Sequence, residues 1–161
     1  MSMLRLPPAQ LGRFTDNVCF HLRRTHEATL QHAVDALAET GLLPIHVEVL
    51  AFIHDNPGTI PSVVADALGR DRSSITGILR TLSEQGLIDR ARTIRDRRAA
   101  LLTISPAGEA ALAQAVARTA ASEAVLDRVL GQDKPAFLDQ LHRIVAALTE
   151  GDRSDDTGDE L

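Results

Sequence analysis

The sequence predicts a mainly α-helical chain with one small β-hairpin. Three observations predict it. The 161 residues contain no Trp, no Tyr and only four Phe, so the core is aliphatic and suits closely packed helices. Apolar residues recur at helical spacing in segments punctuated by Gly and Pro. Two runs short enough for strands, 87–91 and 99–104, flank the polar, Arg-rich stretch 92–98, the pattern of strands joined by a hairpin loop.

Taken in order, residues 1–10, with two prolines, read as a flexible entry segment. Residues 11–38 read as one long helix, with Leu11, Phe14, Val18, Leu22, Leu30, Ala33, Val34 and Leu37 on one stripe and Gly41 placed to end it. Pro44 sits where a first helical turn begins, and Ile45, Val49, Leu50, Phe52 and Ile53 give the second helix its inner face before Asn56-Pro57-Gly58 stops it. Pro61 opens a short third helix over 62–68, closed by Gly69. Asp71 is a natural N-cap for the fourth, because its carboxylate accepts free N–H groups of the first turn. Ile75, Ile78, Leu79 and Leu82 form that helix's buried stripe, and Gly86 ends it. Ser105-Pro106 supplies a cap and a first-turn proline for a long helix to about Leu130, with nine alanines between Ala107 and Ala124. Asp133 and Pro135 begin a last helix with Phe137, Leu138, Leu141, Ile144, Val145 and Leu148 inward. A short helix, a tight turn, a second helix and then a hairpin make a winged helix-turn-helix, expected over 44–105 within a single domain of residues 11–149.

Hydrophobic residues at 44% and charged residues at 24% give an ordinary globular balance. No apolar run approaches the ~20 residues of a membrane helix, and no apolar leader precedes a cleavage site, so the chain reads as soluble and cytoplasmic with no membrane partner. One cysteine, Cys19, excludes an internal disulfide and a cysteine-built zinc site. There is no nucleophile elbow, no Gly-rich phosphate loop and no metal-ligand pair, so neither an enzyme nor a cofactor is expected. Charge is unevenly placed. The formal net of −5 equals that of the acidic tail 150–161 alone, which reads as a flexible end. Residues 70–98 hold eight Arg against four acids, a local +4 hidden by the whole-chain value.

That basic patch falls where a duplex would be read. Steps of about 100° place Ser73, Thr76, Gly77 and Arg80 on the outer side of the fourth helix when Ile75, Ile78, Leu79 and Leu82 are buried. Gly77 costs ~1 kcal/mol in a helix interior relative to Ala but permits close approach to a groove edge. Arg80 is suited to a bidentate contact with guanine or to a phosphate. Arg70, Arg72 and Ser74 extend the same surface at the helix start. Glu84 shares the outer face, and its place at the C-terminal end lets it tilt away from phosphate. Arg95, Arg97 and Arg98 at the hairpin tip have the minor groove as a natural target, with Asp96 positioned to orient a guanidinium.

Residues 11–148 resemble a MarR-type transcriptional regulator, a dimeric winged-helix family. The resemblance lies in Val64-Ala65-Asp66-Ala67-Leu68-Gly69, Asp71-Arg72-Ser73-Ser74-Ile75-Thr76 and Leu82-Ser83-Glu84-Gln85-Gly86-Leu87-Ile88. Most specific is the run from Asp96-Arg97-Arg98 to Leu102-Thr103-Ile104-Ser105-Pro106-Ala107-Gly108, similar to the family's wing signature except that Ile104-Ser105 stands where Leu-Thr is usual. The resemblance implies that Arg98 enters the minor groove with Asp96 positioning it. It also implies a homodimer made by helices within 11–43 and 106–149 on double-stranded DNA. The apolar surface of those helices, more than one small winged helix can cover, independently favours a second copy.

Three triggers fit a regulator of this kind. A small phenolic or anionic aromatic effector is the family's commonest theme, with Arg24, His26 and His46 as polar anchors. Oxidation of Cys19 is an alternative, although the family's peroxide sensors engage Tyr hydroxyls and this chain has none; a cysteine between Phe14 and Leu22 also reads as a small buried hydrophobe. Metal sensing is disfavoured, because the six His contain no i,i+4 pair. A winged helix used only for protein–protein contacts is the competing reading, and it predicts indifference to salt and to Arg80 and Arg98.

Overall fold

The computed structural model describes residues 12–92 and 100–153. Six helices and one antiparallel hairpin follow in the expected order. A 3-10 turn, Gly12–Phe14, precedes α1 (Val18–Leu37). The long first helix therefore starts later than its apolar stripe suggests. Asn17 takes an extended conformation and its Oδ1 accepts the Phe20 N–H at 2.8 Å, so the first turn is capped there. Upstream, Gly12 at φ +56° turns the chain and its carbonyl accepts from the Thr15 hydroxyl at 2.9 Å.

Helix α2 (Pro44–Asp55) begins with proline at its first position. The His46 ring Nδ1 accepts the Leu43 N–H at 3.3 Å, a cap made by a buried histidine. α3 (Pro61–Ala67) ends in a turn through Gly69 at φ +60°, and α4 (Arg72–Glu84) follows at once. The strands β1 (Ile88–Arg92) and β2 (Ala100–Ile104) pair Ile88 with Ile104 and Arg90 with Leu102. Thr59 adds a bridge to Leu102, its carbonyl accepting the Leu102 N–H at 2.8 Å. The Thr59 contact was not legible in sequence, where one β-branched residue after a glycine is too short to read as a strand.

The chain divides into two compact units, Met1–Thr119 and Ala120–Leu161, with α5 (Pro106–Leu130) beginning in the first and ending in the second. In the first unit Leu37, Leu50, Ile53, Val64, Ile75, Leu79, Leu82 and Leu102 are wholly buried, joined by Val49, Leu112 and Ala115. This core fixes α4 against α3 and sets the hairpin beside α2. Two exposed pairs tie α5 to earlier segments: Arg118 to Glu39, in the turn after α1, at 2.6 Å and Glu109 to His54 Nδ1 of α2 at 2.9 Å.

In the second unit a 3-10 turn, Gly131–Asp133, leads into α6 (Lys134–Arg153). Lys134 Nζ donates to Asp127 at 2.5 Å and to Glu123 at 2.6 Å, and these carboxylates push its pKa up to about 12. Phe137, Leu138, Val145 and Leu148, expected to face inward, are exposed, Leu148 by 72%. On α1 the same holds for Val18, Leu30 and Val34, whereas Leu37 is buried. No helix among the described residues is long and apolar enough to cross a membrane.

Candidate nucleic-acid interface

The winged unit is built around α4. Ile75, Leu79 and Leu82 are fully buried and Ile78 packs against them, so the opposite face is left to solvent. Ser73, Ser74, Thr76 and Arg80 are exposed there, with Arg70 and Arg72 exposed at the approach to the helix. A Cβ placed on Gly77 meets nothing within 4 Å, so its missing side chain answers to no neighbour inside the chain.

The start of α4 is held by one carboxylate. Asp71 Oδ1 accepts the Ser74 N–H at 2.8 Å and the Ser73 hydroxyl at 2.5 Å, while Oδ2 accepts the Ser74 hydroxyl at 2.6 Å. These bonds, the Ser73 hydroxyl first, hold the Asp71 carboxyl well below the usual carboxylate range. One turn on, the Thr76 hydroxyl donates to the Arg72 carbonyl at 2.7 Å. Sequence reading found Asp71 as a cap; that the same carboxylate binds both neighbouring serine hydroxyls was missed, although Asp followed by Ser at the second and third positions carries the signal. Arg80 Nε lies 4.0 Å from Glu84, and both side chains are more than two-thirds exposed, so the pair holds Arg80 only weakly.

The hairpin is anchored to the helices at its base. Ser105 is buried; its hydroxyl donates to the Gly86 carbonyl at 2.6 Å and accepts the Gly108 N–H at 3.0 Å. One side chain thus caps α5 and ties it to the end of α4. Gly108 fits closely against the hairpin: a Cβ there falls 2.0 Å from the Leu87 carbonyl oxygen. Sequence reading took Ser105 as a cap and Gly108 as part of a family pattern, without this contact. Arg95, Asp96, Arg97 and Arg98 lie outside the described residues.

The three residues expected to anchor an effector are differently placed. Arg24 and His26 are exposed on α1, with the Arg24 guanidinium 5.9 Å from the Phe20 ring centre. His46 is 8% exposed and engaged in capping α2, and burial lowers its pKa. Cys19 is exposed rather than buried, because on α1 the core of this chain takes in Leu37, five turns further along. Among the described residues, no three of the His, Cys, Asp and Glu side chains are grouped to hold a metal ion.

The sequence pattern of the MarR family matches residues 40–99, the span that holds α2, α3, α4 and β1. Those residues are similar to a MarR-family domain. The chain is 38% identical over 104 residues to a Thauera aromatica protein assigned as transcriptional regulator of the hcr operon, covering 64% of this chain and 63% of that protein. Its fold is similar to that of the transcriptional repressor CouR bound to a 23-mer DNA duplex, with 28% identity and a TM-score of 0.80 over 86% of this chain and 99% of that one. CouR from Rhodococcus jostii RHA1 bound to p-coumaroyl-CoA is also similar, at 26% identity and a TM-score of 0.69 over 84% and 93% of the two chains. The fold is thus mainly helical with a two-stranded antiparallel hairpin among the described residues, as the residue pattern predicts.

Proposed function

We propose that this chain is a homodimeric, sequence-specific DNA-binding regulator of transcription of the MarR family, a repressor acting on a palindromic operator. The observation that carries the reading is the polarity of α4: Ile75, Leu79 and Leu82 are buried on one face, while the other presents Ser73, Thr76, Gly77 and Arg80, with β1 packed alongside. α4 serves as the major-groove element, with Arg70, Arg72 and Ser74 at its start. Arg98, supported by Asp96 and flanked by Arg95 and Arg97, serves as the minor-groove element. Similarity to a DNA-bound repressor supports the assignment. Two copies then present α4 to half-sites about one helical turn apart, roughly 34–36 Å.

Purified protein titrated against duplex DNA at several salt concentrations tests this. Bound phosphates release counterions, so affinity falls steeply with salt. Arg98→Ala weakens binding to every sequence and flattens that slope, whereas changes at Arg80 alter which sequences are preferred. Affinity indifferent to salt and to both arginines overturns the reading in favour of a protein-contact module.

The proposed signal for release is an anionic aromatic ligand. The resemblance to CouR bound to p-coumaroyl-CoA supports that class, as do the exposed Arg24 guanidinium and the exposed His26 ring on α1. His46 contributes by holding α2 in place. Displacement of labelled duplex by an aromatic-acyl-CoA, but not by free CoA, is the expected result; equal effects of the two remove the aromatic group from the proposal.

A further inference from the structure

The hydroxyls at the start of α4 do not face solvent as free rotors. A serine or threonine hydroxyl has one proton to donate and two lone pairs to accept with. Ser73 gives its proton to Asp71 Oδ1 at 2.5 Å, and Thr76 gives its proton to the Arg72 carbonyl at 2.7 Å. The direction of both bonds is forced, because an ionised carboxylate and a carbonyl oxygen only accept. Ser74 is committed in the same way to Asp71 Oδ2. What these three hydroxyls offer to a partner is therefore oxygen lone pairs.

Base-pair edges in the major groove answer this polarity unequally. Adenine presents an amino group at N6 and cytosine one at N4, each a donor. Guanine presents acceptors at O6 and N7, and thymine an acceptor at O4. A lone pair facing the guanine or thymine oxygen is repelled, while one facing an amino group closes a hydrogen bond. Phosphate oxygens also only accept, so a hydroxyl whose proton is committed adds little to binding the backbone. The guanidinium of Arg80, a turn further along, has the opposite polarity and suits guanine.

We propose that Asp71 fixes Ser73, and the Arg72 carbonyl fixes Thr76, as hydrogen-bond acceptors on α4, so that they select the exocyclic amino group of adenine or cytosine in each half-site. This rests on the DNA-binding reading given above and adds the chemical identity of the bases that the helix start prefers. Asp71 is a positioning residue here: it touches no base and acts by orienting Ser73 directly and by capping the helix that carries Thr76.

Selection of duplexes from a randomised pool by the full-length protein, followed by sequencing, reads the preference directly. The wild-type chain enriches adenine or cytosine on one strand at the position facing Ser73. Ser73→Ala leaves the bond between Asp71 and Ser74 in place and reduces that preference by about fivefold, the worth of one neutral hydrogen bond. Thr76→Val, of similar shape, relaxes the position that faces Thr76 in the same way. Asp71→Ala removes the acceptor and frees the Ser73 proton, so guanine and thymine are tolerated there; the melting temperature of the same sample shows whether the helix start survives.

In wild-type complexes, replacing the selected adenine by purine, or cytosine by 2-pyrimidinone, removes only the amino group. That change weakens wild-type binding by about fivefold and leaves Ser73→Ala binding unchanged. Enrichment of guanine or thymine opposite Ser73, or an unaltered profile in both Ser73→Ala and Thr76→Val, overturns the proposal while salt-dependent binding persists. A protein that retains no duplex at any salt concentration overturns the DNA-binding reading instead, and the base preference with it.

Discussion

Gly77 and Glu84 are the two residues of α4 whose presence is hardest to explain by folding alone. Glycine in a helix interior costs about 1 kcal/mol relative to alanine, and nothing near Gly77 would obstruct a methyl group. Gly77→Ala is therefore expected to raise the unfolding free energy by about 1 kcal/mol in denaturant titration and yet weaken duplex binding. An increase in stability with unchanged affinity would show that no groove edge approaches this point. Glu84 presents the opposite problem, a carboxylate on a face proposed to meet phosphates. It lies 4.0 Å from Arg80 with both partners largely exposed, so it adds little to the fold and competes for that guanidinium. Glu84→Gln is expected to tighten binding by about threefold at low salt, the scale of one screened surface charge, with the gain fading as salt rises. Fluorescence anisotropy at two salt concentrations distinguishes this from a conformational effect, which would persist at high salt.

Between elements, the junction of hairpin and helix is fixed by Ser105 and Gly108. A methyl group on Gly108 would lie 2.0 Å from the Leu87 carbonyl oxygen and 2.7 Å from Ile104 Cγ1, and the first is backbone that cannot swing aside. Gly108→Ala is expected to cost about 1–3 kcal/mol, as overpacking does, and to lower the melting temperature while shifting the base of the wing. Helix α2 carries a pH dependence through His46. Burial lowers its folded-state pKa, so the unfolded chain binds the proton more tightly. Its contribution is full above the unfolded value near 6.5 and is lost as the pH falls toward the lowered folded value. His54 acts in the opposite sense, since its hydrogen bond with Glu109 raises its pKa and its contribution fades as the pH rises. Stability measured between pH 5 and 8 in a His54→Gln background is expected to fall on the acid side, and His46→Gln removes that fall. The elements were legible because glycine, proline and Asp71 punctuate strong apolar periodicity. The start of α1 was not, because the stripe containing Leu11 and Phe14 runs past the cap at Asn17. Ser105 as a tie between α4 and α5, and Asp71 as a clamp on two hydroxyls, depend on side-chain direction, which spacing does not fix.

For the molecule as a whole, several of the apolar residues expected to be inward on α1 and α6 are left open by the single chain. Val145 is 61% exposed and Leu148 72% on α6, and Leu30 is 43% exposed on α1. Periodicity identified these side chains as buried without saying by what, because a sequence pattern marks an apolar face and not the chain that covers it. A second copy is the simplest cover, and it also brings two α4 helices to one duplex. Val145→Glu separates this from an ordinary stability effect. Val145 has little packing to lose within its own chain, so helix content by circular dichroism is expected to stay near the wild-type value. A buried carboxylate without a partner costs several kcal/mol in an interface, which is enough to shift a dimer to monomers at micromolar concentration. Sedimentation should then show a monomer near 17.4 kDa where the wild type shows twice that mass. Duplex affinity should fall to that of a single half-site, because the linked second contact is lost. A variant that stays dimeric and binds DNA as the wild type does would mean that α6 does not form the interface, and the symmetry proposed for the operator would then need another origin.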